Sequence, residues 1–159
     1  MTNLASLWSD GPWSPVEVCA ELPAPPEEVF EVLADPETYP EWLIGAQRIR
    51  QVDPEFPRPG SKFEHSVGAS PGVAVDDRTE ALEADPPHRL ELEVHAGLFH
   101  GIVDFELHSG PAGTSRICFR EAATGPAAVL QPLLRPIVYA RNGRSLVKLA
   151  DYLGSRRAA

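Results

Sequence analysis

The chain has 159 residues, of which 43% are hydrophobic and 23% charged, the size and balance of one soluble globular domain. A net charge of −9 argues against a nucleic-acid surface, which needs basic residues to meet phosphate. No run of about 18 apolar residues exists to cross a bilayer as a helix.

Residues 1–12 read as a flexible N-terminal arm that carries Trp8, and residues 13–159 as a single domain. The arm has neither the basic nor the apolar stretch of a signal peptide. Cys19 and Cys118 stand far apart and match no metal or redox spacing, so the expectation is a reduced, cytoplasmic protein.

In chain order, VEVCAEL (16–22) alternates, with Val16, Val18, Ala20 and Leu22 on one face, the pattern of a half-buried strand. PAPPEEVFEVLADPETYPEW follows. Pro25 and Pro26 suit a first helical turn, and Glu27 and Glu28 favour its positive end. Val29, Phe30 and Leu33 make the apolar stripe. Pro36 ends this helix, and Asp35 is placed to cap a second short one that runs to about Trp42.

Strand patterns then occupy 44–52, 62–67, 73–84, 89–96, 101–109 and 114–122, separated by turn residues. The last three form a meander. With Gly97–His100 as a loop, Leu92 faces Phe105 and Val94 faces Val103. With Pro111–Gly113 as a hairpin and Gly113 left-handed, Phe105 faces Phe119 and Leu107 faces Ile117. Both hairpins gather their apolar residues on one side, which a one-residue slip would destroy. The other side carries Glu91, Glu93, Asp104 and Glu106 and reads as solvent-facing, relieved by Arg116 and Arg120.

Pro132 and Pro136 are expected to break the segment before the last helix. From Ile137, Tyr139, Asn142, Leu146, Leu149, Ala150 and Leu153 share one broad face. Charge is uneven along the chain. Residues 126–159 hold six Lys/Arg against Asp151 alone, while residues 1–125 hold 22 acids against eight Lys/Arg. The plain reading is a solvated basic helix face.

The order of strand, two short helices, about six strands and a long helix resembles the START/Bet v 1-like (helix-grip) superfamily and its polyketide cyclase/dehydrase-like family. The segments APPEEVFEVLADPETYPEW, EALEADPPHRLELEV, TSRICFREA and RNGRSLVKLADYL carry the resemblance, which spans about residues 14–153. It implies an α+β fold: a curved antiparallel sheet of six to seven strands wrapped around a long C-terminal helix, with an apolar cavity between them. It carries over no catalytic residue, because the family shares no single catalytic signature.

A cavity of that kind needs apolar walls and a few placed polar groups. Leu92, Val94, Val103, Phe105 and Phe119 are the expected walls, with Trp42 closing one end and Leu146 adding helix contact. The inward polar residues are His65, Glu121, Tyr139 and Asn142. Glu80 stays open: it lies on Leu82's side of its strand, but Thr79 and Ala81 make an equally good inner set. His65 and Glu121 are the candidate acid–base pair for an enolisable carbonyl. His95, His100 and His108 do not converge by parity, so no metal is expected, and no glycine-rich phosphate loop points to a nucleotide. No cofactor is expected. The expected partner is a hydrophobic or aromatic small molecule, polyketide- or lipid-like, with a homodimer left open. Two other roles use the same fold: a cyclase, aromatase or dehydrase, and a protein-interaction or maturation module.

Overall fold

The computed structural model of the protein describes residues 11–70 and 73–159, so the expected arm, with Trp8, lies mostly outside the described residues. Val16–Leu22 forms β1, Pro26–Leu33 forms α1 and Tyr39–Trp42 forms α2. Between the helices, Asp35 accepts from the Glu37 N–H at 3.1 Å and caps a 3₁₀ turn with Pro36 in its first position, as its side chain predicts.

The strands are β2 (Ala46–Val52), β3 (Lys62–Ser70), β4 (Val73–Asp85), β5 (Arg89–Ala96), β6 (Phe99–Ser109) and β7 (Ser115–Thr124), followed by α3 (Gln131–Ala158). They make one seven-stranded antiparallel sheet in the order β1-β7-β6-β5-β4-β3-β2. Bulges interrupt the β2–β3 and β4–β5 ladders and bend the sheet. The sheet wraps α3, the helix-grip architecture that the sequence suggests.

The last hairpin has the expected register, Phe105 opposite Phe119 and Leu107 opposite Ile117, with Gly113 left-handed. The β5–β6 register differs by two residues. Leu92 faces Val103, Val94 faces Gly101, and the turn is only Gly97-Leu98. Gly97 takes φ +62°, which a tight two-residue hairpin favours. A shift of two keeps every side chain on its face, so the apolar side survives the change. His100 therefore lies on β6 opposite His95, not in a turn.

The outer face is less open than expected. Glu91 and Asp104 are opposite one another and buried. Arg89 covers them, donating to Asp104 Oδ1 at 2.8 Å and Glu91 Oε2 at 2.6 Å, while Arg120 reaches Asp104 Oδ2 at 3.1 Å. Arg116 instead pairs with Glu21.

Two further expectations are corrected. Pro136 does not break the last helix, which runs 28 residues through it. It falls in the second turn, where its missing N–H frees only one carbonyl and its fixed φ is helical. The helix start is fastened from its side chains: Gln131 Nε2 donates to the carbonyls of Trp13 and Ser14, and Gln131 Oε1 accepts from Ala123 N–H at 2.6 Å. The cysteines are not reduced thiols. β1 and β7 place Cys19 directly opposite Cys118, and the two form a disulfide on the outer face.

The core is solid at one end. Trp42, Tyr39, Phe63, Phe105 and Phe119 stack edge-on or tilted there, against Leu146, Leu149 and Leu153 of α3.

Candidate functional site

At the other end the inward side chains of the sheet become small. Ala46, Ala96, Gly101 and Ala123 replace the large residues of the core. A straight helix crossing a bent sheet of small residues cannot fill the space beneath it. A cavity of about 610 Å³ results, bounded by the sheet, the α2–β2 connection and the first half of α3. That volume suits a drug-sized molecule.

Leu92, Val94, Val103, Phe105 and Phe119 line this cavity, as do His65 and Glu121. The other sequence-predicted residues lie elsewhere. Trp42 is fully buried in the core, its Nε1 donating to Thr38 Oγ1 at 3.3 Å, and does not border the cavity. Leu146 is likewise a core residue. Tyr139 is 59% exposed. Leu134 and Val138 face the cavity at that height instead.

Glu80 turns to the outer side, with its Oε2 3.5 Å from Lys62 Nζ. The β4–β5 ladder explains why its face was ambiguous. Ala81 faces Leu92 but Glu83 faces Glu91, so Leu82 is an extra residue that reverses parity midway.

The polar groups form two clusters. On the sheet, His65 faces Asp77 across β3 and β4. His65 Nε2 lies 3.1 Å from Thr79 Oγ1 and 3.2 Å from Asp77 Oδ2. All three are buried and border the cavity. The Asp77 contact is close but poorly aligned, leaving both carboxylate oxygens and His65 Nδ1 without a hydrogen-bond partner. Orphaned buried polar atoms are costly, and a site that handles protons or polar ligands is one place where such a cost is retained.

The second cluster joins sheet to helix. Glu121 Oε2 accepts from Asn142 Nδ2 at 3.0 Å and from Arg141 Nη2, and Arg141 Nε donates to Asn142 Oδ1 at 3.1 Å. Asn142 is fully buried behind this cluster. Glu121 is thus committed to a guanidinium and an amide. The carboxylate next to His65 is Asp77, which the sequence reading missed. Its only sequence signal was shared parity with Thr79 and Ala81. Tyr39, another wall residue, is also committed. Burial, with Asp35 nearby, holds its hydroxyl protonated far above the usual phenol range, and that hydroxyl donates to Leu33 O at 2.6 Å.

Among the described residues, the trio close enough to share an ion is Glu17, Cys19 and Cys118. Both of its sulfurs are in the disulfide, which removes them as thiolate ligands. No helix among the described residues is long and apolar enough to cross a membrane.

A family model described as "Polyketide cyclase / dehydrase and lipid transport" matches residues 15–154. No curated protein sequence matches the chain. Among solved structures, protein NE0264 of Nitrosomonas europaea superposes with a TM-score of 0.74 at 19% identity, over 95% of this chain and 100% of that one. CV1439 of Chromobacterium violaceum gives 0.71 at 19%, over 87% and 96%. The di-domain ARO/CYC StfQ from the steffimycin biosynthetic pathway gives 0.67 at 13%, over 91% of this chain and 52% of StfQ. At these identities the likeness is one of fold.

Proposed function

The chain belongs to the polyketide cyclase / dehydrase and lipid transport family, and on that premise we propose that it binds a hydrophobic or aromatic small molecule, polyketide- or lipid-like, between the sheet and α3. The observation that carries this reading is the cavity of about 610 Å³ with mostly apolar walls and a few polar groups. His65, Asp77 and Thr79 offer hydrogen bonds at one wall, and the guanidinium groups of Arg135 and Arg141 border another. Apolar area would supply most of the affinity and the polar groups the orientation. Such a layout favours a ring system with oxygen substituents over a plain hydrocarbon chain.

A second reading is an enzyme of the cyclase, aromatase or dehydrase type. The buried His65–Asp77 contact favours it, because an imidazole beside a carboxylate can take and return a proton at a guest's enolisable carbon. The wall would hold a flexible poly-ketone in one fold while this happens. A solid interior would instead have favoured a pure interaction module.

Native mass spectrometry and thermal shift with a panel of hydroxylated aromatics and fatty acids test the binding reading. One retained molecule per chain is expected, with stabilisation of about 2.7 kcal/mol at a hundredfold excess over Kd. Leu92→Trp, which fills the cavity, should abolish the shift. No shift with any compound overturns the reading. For the second reading, His65→Ala should remove turnover of a poly-ketone substrate while the Kd for product changes little. Equal losses in both would leave His65 a binding group only.

A further inference from the structure

Arg135, in the cavity wall, has no acid beside it among the described residues. It and Arg141 both border the cavity, but their surroundings differ. Arg141 is spent within the protein: its Nη2 donates to Glu121 Oε2, and its Nε and Nη2 donate to Asn142 Oδ1. Arg135 is half-buried. Its Nη1 donates to the Ser14 carbonyl and lies 3.5 Å from Ser14 Oγ. Three and four residues away on α3 stand Gln131, Pro132, Val138 and Tyr139, so its own helix offers it no carboxylate. The carboxylates of the wall are engaged elsewhere. Glu121 is held by Arg141 and Asn142, and Asp77 faces His65.

Holding Ser14 does not call for a charge. Gln131 Nε2 already donates to the same carbonyl at 2.8 Å. A guanidinium drawn partly out of water beside apolar walls loses hydration that a neutral acceptor returns only in part. What an arginine adds over an amide is its fork. The Nε and Nη2 hydrogens lie parallel along one edge, where a carboxylate meets them with two hydrogen bonds. On Arg135 neither of these two nitrogens has a hydrogen-bond partner among the described residues.

We propose that the cavity selects an apolar carboxylic acid, whose carboxylate sits on the Nε–Nη2 edge of Arg135. The proposal rests on the cavity reading above and narrows it from apolar molecules in general to acids, which are ionised at neutral pH. It also orients the guest. β7, beside α3, and β4, which carries Asp77, are three steps apart in the strand order, about 14 Å along the sheet at the usual strand spacing. The acid head lies at α3, the body runs along Val103, Phe105 and Leu92, and the tail is directed toward His65 and Asp77.

Calorimetric titration of the full chain with an acid and a neutral counterpart of the same body tests it. Two pairs serve: para-phenylbenzoic acid with its methyl ester, and decanoic acid with decanol. The acid should bind about tenfold or more tightly than its counterpart, as hydrogen bonds between charged groups allow. A preference in one pair alone upholds the proposal and names the body as ring or chain. Arg135→Gln should erase the preference by weakening the acid while the neutral compound keeps its Kd. Arg135→Lys should keep part of it, having the charge without the fork. The neutral compound is the control for folding, because a chain unsettled by losing the Ser14 contact would lose both compounds. Arg135→Lys, which keeps a donor for Ser14, then decides the matter by a reduced preference. Equal Kd values for acid and counterpart in both pairs overturn the proposal and leave the cavity reading intact. An acid preference unchanged in both variants overturns it too. Binding of none of the four compounds counts against both.

Discussion

His65 Nε2 lies 3.2 Å from Asp77 Oδ2, two buried side chains facing each other across β3 and β4 at the wall of the cavity. The contact joins a protonatable ring in the cavity wall to a carboxylate whose oxygens have no hydrogen-bond partner. Removing one member leaves the other's buried polar atoms without this neighbour, a cost of about 1–3 kcal/mol. His65→Leu and Asp77→Leu are therefore each expected to lower the urea midpoint. The double variant should cost less than the sum, by about 1–3 kcal/mol. Strict additivity would show that the two groups do not support each other.

Asn142 holds the second cluster through the orientation of its amide, with Nδ2 toward Glu121 and Oδ1 toward Arg141. Asn142→Asp keeps the shape and the acceptor for Arg141 but puts a second carboxylate oxygen against Glu121. Repulsion in a buried place should make it worse than Asn142→Ala, which loses hydrogen bonds worth about 1–3 kcal/mol. Equal midpoints for the two variants would mean that the amide is not oriented as described.

The sheet's inner face could be read from sequence because strict alternation in β5, β6 and β7 survives a register error of two, as Leu92, Val94, Val103, Phe105 and Phe119 show. Alternation fails where the ladder does. The bulge at Leu82 reverses parity within β4, so the inward position of Asp77 and the outward position of Glu80 could not be assigned from spacing alone. In β2, bulges put Ala46, Ile49 and Val52 opposite Val67, His65 and Phe63, an interval of three that mimics no regular strand. The disulfide was hidden for a different reason. Cys19 and Cys118 are 99 residues apart, and only the closing of β1 onto β7 makes them neighbours. Tyr139 belonged to the helix's apolar stripe by arithmetic, but a stripe is buried only where a wall stands opposite.

The Cys19–Cys118 bond closes a loop of 99 residues between the first and last strands. A loop of that length is expected to stabilise by about 4.7 kcal/mol through the unfolded chain. Cys19→Ser with Cys118→Ser, or reduction with dithiothreitol, should lower Tm by on the order of 10 °C. Thiol titration of unreduced protein should find no free thiol. Two free thiols in protein from its own host would restore the reduced, cytoplasmic reading, whereas an intact bond would favour an oxidising compartment.

The outer-face carboxylates make opposite predictions for pH. Burial raises the pKa of Glu91, Arg89 offsets this in part, and Asp104 and Glu83 add to it. Its ionised form is disfavoured in the fold, so its contribution falls as pH rises from the unfolded value, 4.5, through the raised folded one. Glu106 differs. Burial opposes its charge, but the hydrogen bond and charge of Arg120, with His108, hold its pKa below the ordinary 4.5. Its contribution is present above 4.5 and lost as pH falls through the lowered folded value. Urea titrations across pH 3–8 should therefore find Glu106→Gln destabilised at neutral pH and level with wild type in acid. Glu91→Gln should compare best with wild type at neutral pH and lose ground as acid protonates Glu91 in the wild-type chain. Parallel pH profiles for the two variants would show that Arg89 and Arg120 do not divide these acids as the structure has them.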